Sequence, residues 1–198
     1  MSKSISSLSD DELRSFFESR FDFVAMSKVG SSSFRTIMRK SKLRTLNLIV
    51  NGKQTDCVKR DGKWQYSEWS QDQIVPTFTL CRNPYLRFIS SFNYIVSAPR
   101  FQKEFEKLGL NACDFKPEDL LSFTDRFPLQ VNSGIHDHFM PHFEQVAKNS
   151  GNKLSLDQID LIGQIGDIDR LSNLILGNKI HKNENKHSTD NASKNFYF

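Results

Sequence analysis

Two short runs of this chain gather the residue types that bind phosphate. In the first, Lys28-Val-Gly-Ser-Ser-Ser33, a lysine, a flexible glycine and three hydroxyls follow the apolar run Phe21-Asp-Phe-Val-Ala-Met26. A loop of that composition brings an ammonium, hydroxyls and backbone N–H groups onto one anion, and the positive end of a following helix adds to the attraction. The second run, Arg82-Asn-Pro-Tyr-Leu-Arg-Phe-Ile-Ser90, follows an apolar stretch ending at Cys81. It puts Arg82 at a strand exit and Pro84 in a first helical turn, where a missing N–H is tolerated. Arg87 and Ser90, three apart, share a helical face. Two phosphate-like groups on one ligand are the chemistry this pair predicts. The ATP-type loop G-x-x-x-x-G-K-[ST] needs a glycine well before the lysine and a hydroxyl directly after it, whereas here the lysine comes first.

The elements that must position these loops are legible in outline. Ser9-Asp-Asp-Glu12 is a capping box, which predicts a helix from Asp10 to about Arg20. Phe21 to Met26 reads as a buried strand, and Ser31 or Ser32 opens a helix carrying Phe34, Ile37 and Met38. Leu43 to Val50, Thr55 to Lys59 and Trp64 to Trp69 read as strands with an Asp61-Gly62 hairpin turn. That region is expected to be a β-insertion covering the site, with Trp64 and Trp69 as candidates to line an acceptor cleft. Ile74 to Cys81 is a further strand, with Pro76 at its start or at a sheet edge. Helical spacing runs from Pro84 to Leu108, Pro117 to about Phe123 and Asp137 to Lys148. Asp157 to Ile162 returns as a strand and Ile168 to Leu176 as a helix. Strands alternating with helices predict an α/β fold, a three-layer sandwich around a mainly parallel central sheet with right-handed crossovers.

The two motifs together resemble those of the sulfotransferases that use 3′-phosphoadenosine 5′-phosphosulfate (PAPS), most closely the carbohydrate-type branch. In that family a Lys-x-Gly-(Ser/Thr)-(Ser/Thr) loop after the first strand holds the 5′-phosphosulfate. An Arg-(Asp/Asn)-Pro-x-x-Arg-x-x-Ser segment holds the 3′-phosphate through its first Arg and its Ser. The resemblance therefore implies a P-loop-like sulfotransferase fold with Lys28, Val29, Gly30, Ser31, Ser32 and Ser33 around the phosphosulfate, and Arg82 and Ser90 on the 3′-phosphate. Lys28 would also be catalytic. His138-Phe-Met-Pro141 is similar to the family's His-Trp-x-Pro and makes His138 the candidate base, and Leu161-Ile-Gly163 is similar to the strand before its last conserved region. The implied reaction is sulfuryl transfer from PAPS to a hydroxyl or amine of a small-molecule or carbohydrate acceptor, leaving 3′,5′-ADP and using no metal. Two departures stand out. Gly166 occupies the position where the branch commonly carries Glu, and the chain stops at Phe196-Tyr-Phe198 where the branch continues into a Tyr-rich helix. Residues 178–198 are accordingly expected to be disordered or truncated.

Composition bounds these readings. A chain of 198 residues with 37% hydrophobic content and 17 Phe buries one substantial core, so a single domain over 1–198 is expected, residues 1–20 being its N-terminal helix. The net charge of +4 suits a small polyanion, and no arginine-rich tract or aromatic-basic repeat argues for nucleic acid. Cys57, Cys81 and Cys113 form no C-x-x-C pair, which predicts a reduced, cytoplasmic home rather than a disulfide framework or zinc site. No apolar run reaches the roughly 20 residues a membrane helix needs, so the protein is expected to be soluble. Each site residue also has a plainer reading. Arg87 would brace its loop or pair with an acid, and His138 would be a packing or helix-start residue. His136, His138 and His142 tempt a metal reading that Pro141 disturbs. A nucleotide-binding module without catalysis and a kinase-like phosphotransferase are the competing functions.

Overall fold

The computed structural model describes residues 2–41, 46–56, 65–71, 74–107, 111 and 136–177. The chain divides into two compact units, the first made of Met1–Arg82 and Pro141–His181, the second containing Asn83–Met140.

The first unit is a mixed seven-stranded α/β sheet. Its strands are β1 (Lys3–Ser4), β2 (Phe21–Val24), β3 (Leu46–Val50), β4 (Lys53–Asp56), β5 (Ser67–Glu68), β6 (Thr77–Cys81) and β7 (Leu161–Gln164), in the order β1-β7-β6-β2-β3-β4-β5. The strands from β1 across to β3 pair in parallel, while β4 and β5 add an antiparallel edge. All four residues of β2 are buried, as a central strand covered on both faces requires. Alternation sends Phe21 and Phe23 to one face, where they meet Phe78 of β6, Phe17 of helix α1 (Asp10–Glu18) and Phe34 of helix α2 (Ser31–Lys40). The Phe23–Phe34 and Phe34–Phe78 ring centroids are 4.9 Å apart. Leu171 and Leu174 of the late helix Ile168–Leu176 complete this cluster. On the opposite face Asp22 is 3% exposed, and its carboxylate accepts from Asn47 Nδ2 at 2.8 Å and Trp69 Nε1 at 2.7 Å. Those two donors offset the cost of burying the charge.

α1 begins at the capping box, with Ser9 Oγ accepting from the Glu12 N–H and the Glu12 carboxylate accepting from the Ser9 N–H. Arg170 ties the N-terminal segment down, donating to the carbonyls of Ile5 and Leu8 and pairing with Asp10 at 2.7 Å.

Several expected elements differ. The hairpin after β3 turns at Asn51-Gly52, whose φ values of 51° and 71° are those of a tight primed turn that an Asn-Gly pair adopts readily. The Asp61-Gly62 turn, Trp64 and the end of the Thr55–Lys59 strand lie outside the described residues. The described strands of the β3–β5 region belong to the sheet instead of forming an insertion over the site: β3 is a core strand beside β2, and β4 and β5 extend the sheet edge. Trp69, proposed for an acceptor cleft, is 1% exposed and bonded to Asp22, so it lines none. Asp157 to Ile162 divides into a 3₁₀ turn, Leu156–Gln158, and the strand β7.

In the second unit, α3 (Pro84–Ser97) and α4 (Pro99–Lys107) replace one long helix, because Pro99 forces Ala98 into an extended conformation. Phe92, Ile95, Phe101 and Phe105 form its core, with Phe139 of the short helix α5 (His136–Phe139) against it. The helical run through residues 137–148 likewise stops before Pro141. Helix α6 (His142–Asn149) then resumes in the first unit, which α7 (Ile168–Leu176) completes. No helix among the described residues is long and apolar enough to cross a membrane. The Pro117–Phe123 helix and the 178–198 segment lie outside the described residues.

Candidate functional site

β2 and β6 are parallel neighbours whose chains leave in opposite directions across the sheet: β2 leads through α2 to β3 on one side, and the strand following β6 is β7 on the other. The carboxyl ends of two such strands flank a topological switch point, where open α/β sheets hold their ligands. The Lys28 loop follows β2 and Arg82 follows β6. The fold brings the two together, with Arg82 Nη1 donating to the Lys28 carbonyl at 3.4 Å, a long bond.

The loop itself is strained and open at its helix end. Lys28 has a φ of 62°, a left-handed conformation that costs a non-glycine residue about 1–2 kcal/mol. Gly30, the N-cap of α2, has a φ of 92° and leaves little room for a side chain, since a Cβ there would lie 3.3 Å from Ile165 Cγ1. Gly30 has no side chain to cap α2, so among the described residues the first-turn N–H groups of Ser31, Ser32 and Ser33 keep the positive end of the helix available to an anion. Val29 is buried in the core and offers only its backbone. Ser31 Oγ is engaged within the loop, donating to the Met26 carbonyl at 2.7 Å and accepting from the Met26 N–H at 3.3 Å. It shapes the cradle, while Ser32 is exposed and Ser33 partly so.

Sequence reasoning missed two residues that hold this loop from α6. Gln145, 3% exposed, accepts the Ser27 N–H on Oε1 at 2.9 Å, and Asn149 Nδ2 donates to the Ala25 carbonyl. More than a hundred residues separate each from its partner, so no local pattern announces them.

Arg82 is partly buried, and desolvation lowers its pKa from the ordinary arginine value without removing its charge near neutrality. Its Nε is buried without a hydrogen-bond partner, and it makes no ion pair among the described residues. A partly desolvated guanidinium with an unmet donor fits an anionic ligand, for which charge-assisted bonds are strongest.

The second unit places the remaining candidates. Asn83 caps α3 by accepting from the Tyr85 and Leu86 N–H groups. Arg87, 5% exposed, donates to the Met140 carbonyl at 2.7 Å. Ser90 is partly buried, and the hydroxyl that ties this region together is that of Ser91, bonded to the Arg87 and His138 carbonyls at 2.9 and 2.8 Å. The His138 ring packs edge-on to Tyr94 and Phe101, with centroids at 5.1 and 5.7 Å. His138 thus takes part in the aromatic packing of α5 on this unit. Pro141 breaks the helix between His138 and His142, and no group of three His, Cys, Asp or Glu side chains gathers among the described residues. Gly166, in first-unit numbering order after β7, is exposed with open space around it. Compared with protein-family models, curated proteins and solved structures, the chain has no match in any of the three.

Proposed function

We propose that this chain is a PAPS-dependent sulfotransferase acting on a hydroxyl or amine of a carbohydrate-like acceptor, with a P-loop-like sulfotransferase fold. The observation that carries this reading is the pairing of the Lys28 loop with Arg82 at the carboxyl ends of β2 and β6, beside the uncapped start of α2. Such a site offers cationic and N–H donors to a ligand with two separated anionic groups, and the order of Lys28 before Gly30 and Ser31 disfavours an ATP-type cradle. Lys28 and the first-turn N–H groups of α2 hold the 5′-phosphosulfate. As the sulfuryl group passes in line to the acceptor oxygen or nitrogen, they meet the negative charge developing on the bridging oxygen. Arg82 binds the 3′-phosphate through its unmet donor. The roles given to Ser90 in 3′-phosphate binding and to His138 as base rest on the motifs alone. The packing of His138 between Tyr94 and Phe101 favours a second reading, a PAPS- or 3′,5′-ADP-binding module without turnover.

Calorimetry with 3′,5′-ADP, 5′-AMP and ATP tests the donor. 3′,5′-ADP is expected to bind about ten- to a hundredfold more tightly than 5′-AMP, the range that charged hydrogen bonds supply. Equal affinities overturn the assignment of Arg82 to a 3′-phosphate. Turnover of PAPS with an acceptor panel then separates enzyme from binding module.

A further inference from the structure

We propose that Gln145 and Asn149, one turn apart on α6, are positioning residues that clamp the Lys28 loop in its left-handed conformation. Their significance for donor binding rests on the reading of that loop given above.

A non-glycine residue stays in the left-handed region only where its surroundings over-determine the backbone. Lys28 has a φ of 62°, and the three residues before it are each held by a side-chain hydrogen bond, two of them from α6. Ala25 O accepts from Asn149 Nδ2, Met26 exchanges two bonds with Ser31 Oγ, and Ser27 N–H is taken by Gln145 Oε1. An i, i+4 pair projects from one side of a helix, so a single rigid element addresses both ends of the Ala25–Ser27 segment. α6 is itself fixed. Val146 is fully buried, Gly52 N–H donates to the Asn149 carbonyl at 2.8 Å, and the Gln145 N–H donates to the Pro141 carbonyl at 2.9 Å. The acceptor on Gln145 is the feature that matters for Ser27. A glutamate at that position retains it, and a methionine of similar length does not.

Amide hydrogen exchange by NMR on the full chain reads the clamp without reference to activity. In the wild type the Ser27 amide is expected to be protected; exchange at the rate of a free peptide overturns the proposal. Gln145→Met should speed exchange at Ser27 at least about tenfold, the worth of one buried hydrogen bond, while amides of β3 and β6 keep their protection. Gln145→Glu should restore protection. Unchanged Ser27 exchange in a folded Gln145→Met protein sinks the idea. If Gln145→Met does not fold, Asn149→Asp serves instead. It removes the donor to Ala25 but keeps the Oδ1 that accepts the Asn51 N–H, and it should loosen the same loop amides. Calorimetry with 3′,5′-ADP is run in parallel, expecting about tenfold weaker binding by Gln145→Met. If the wild type does not bind 3′,5′-ADP, the nucleotide reading fails while the exchange result decides the clamp independently.

Discussion

Lys28 carries two separable properties, a charge and a left-handed backbone, and the two can be removed one at a time. Lys28→Ala deletes the ammonium and keeps the strain at φ 62°. Lys28→Gly deletes both. Glycine relieves about 1–2 kcal/mol of strain but gives back about 0.4–1 kcal/mol through the greater freedom of the unfolded chain. Lys28→Gly should therefore be about 0.5–1 kcal/mol more stable than Lys28→Ala in urea denaturation. If the proposed sulfuryl transfer is this chain's reaction, both variants should lose turnover, since there the charge would act mainly in the transition state. A glycine variant less stable than the alanine one, or near-normal turnover in either, would contradict this division. The types and order of residues at this site were legible because a lysine, a glycine and serines between a strand and a helix leave few alternatives. What each hydroxyl does was not: Ser31 turns back to Met26, and Ser91 is the residue that bonds the Arg87 and His138 carbonyls, outcomes set by backbone direction.

At the scale of elements, local chemistry was legible where it is self-contained. The Ser9–Glu12 box and the Asn83-Pro84 start mark the first turns of α1 and α3, because their hydrogen bonds close within three residues. The break at Pro99 and the turn at Asn51-Gly52 are equally local: a proline bars the helical conformation from Ala98 before it, and an Asn-Gly pair adopts the left-handed conformation readily. The two-residue strand β1 is too short to show any period. The capping box also gives α1 a pH dependence. Hydrogen bonds from the Ser9 backbone and then its side chain hold the Glu12 pKa below the ordinary glutamate value. A depressed folded-state pKa means stability that is present above the unfolded value and lost as pH falls through the folded one. Thermal melts of wild type and Glu12→Gln should thus differ most above the ordinary glutamate range and converge only as the pH falls through the depressed folded-state value, where the carboxylate takes up its proton. A gap that widens in acid would reverse the assignment.

For the whole molecule, alternation of strands and helices announced an α/β sheet, while the strand order could not be read, because β1 pairs with β7 and β6 with β2 across long separations. The closure of the sheet by its N-terminus depends on Gly163. A Cβ there would lie 2.5 Å from Ile5 Cδ1 and 2.9 Å from Leu80 Cδ2, and both neighbours are fully buried. Gly163→Ala should cost about 1–3 kcal/mol in urea denaturation, the usual price of overpacking. Ile5→Val, which removes the nearest methyl, should cost about 0.5–1.5 kcal/mol alone yet recover part of the loss when combined with Gly163→Ala. Additive losses in that double-mutant cycle would show that Ile5 is not what the new methyl meets.

The same strand order sets a timetable for synthesis. β6 emerges with one edge already matched to β2, but the partner for its other edge, β7, follows about 80 residues later, a wait of several seconds to some 15 seconds at ribosomal speed. Through that interval the backbone of Thr77–Cys81, with the apolar Phe78 and Leu80, presents an unpaired strand to the cellular milieu. A nascent chain stalled before Leu161 should therefore associate with holding chaperones, and one released after Ile168–Leu176 has emerged should not.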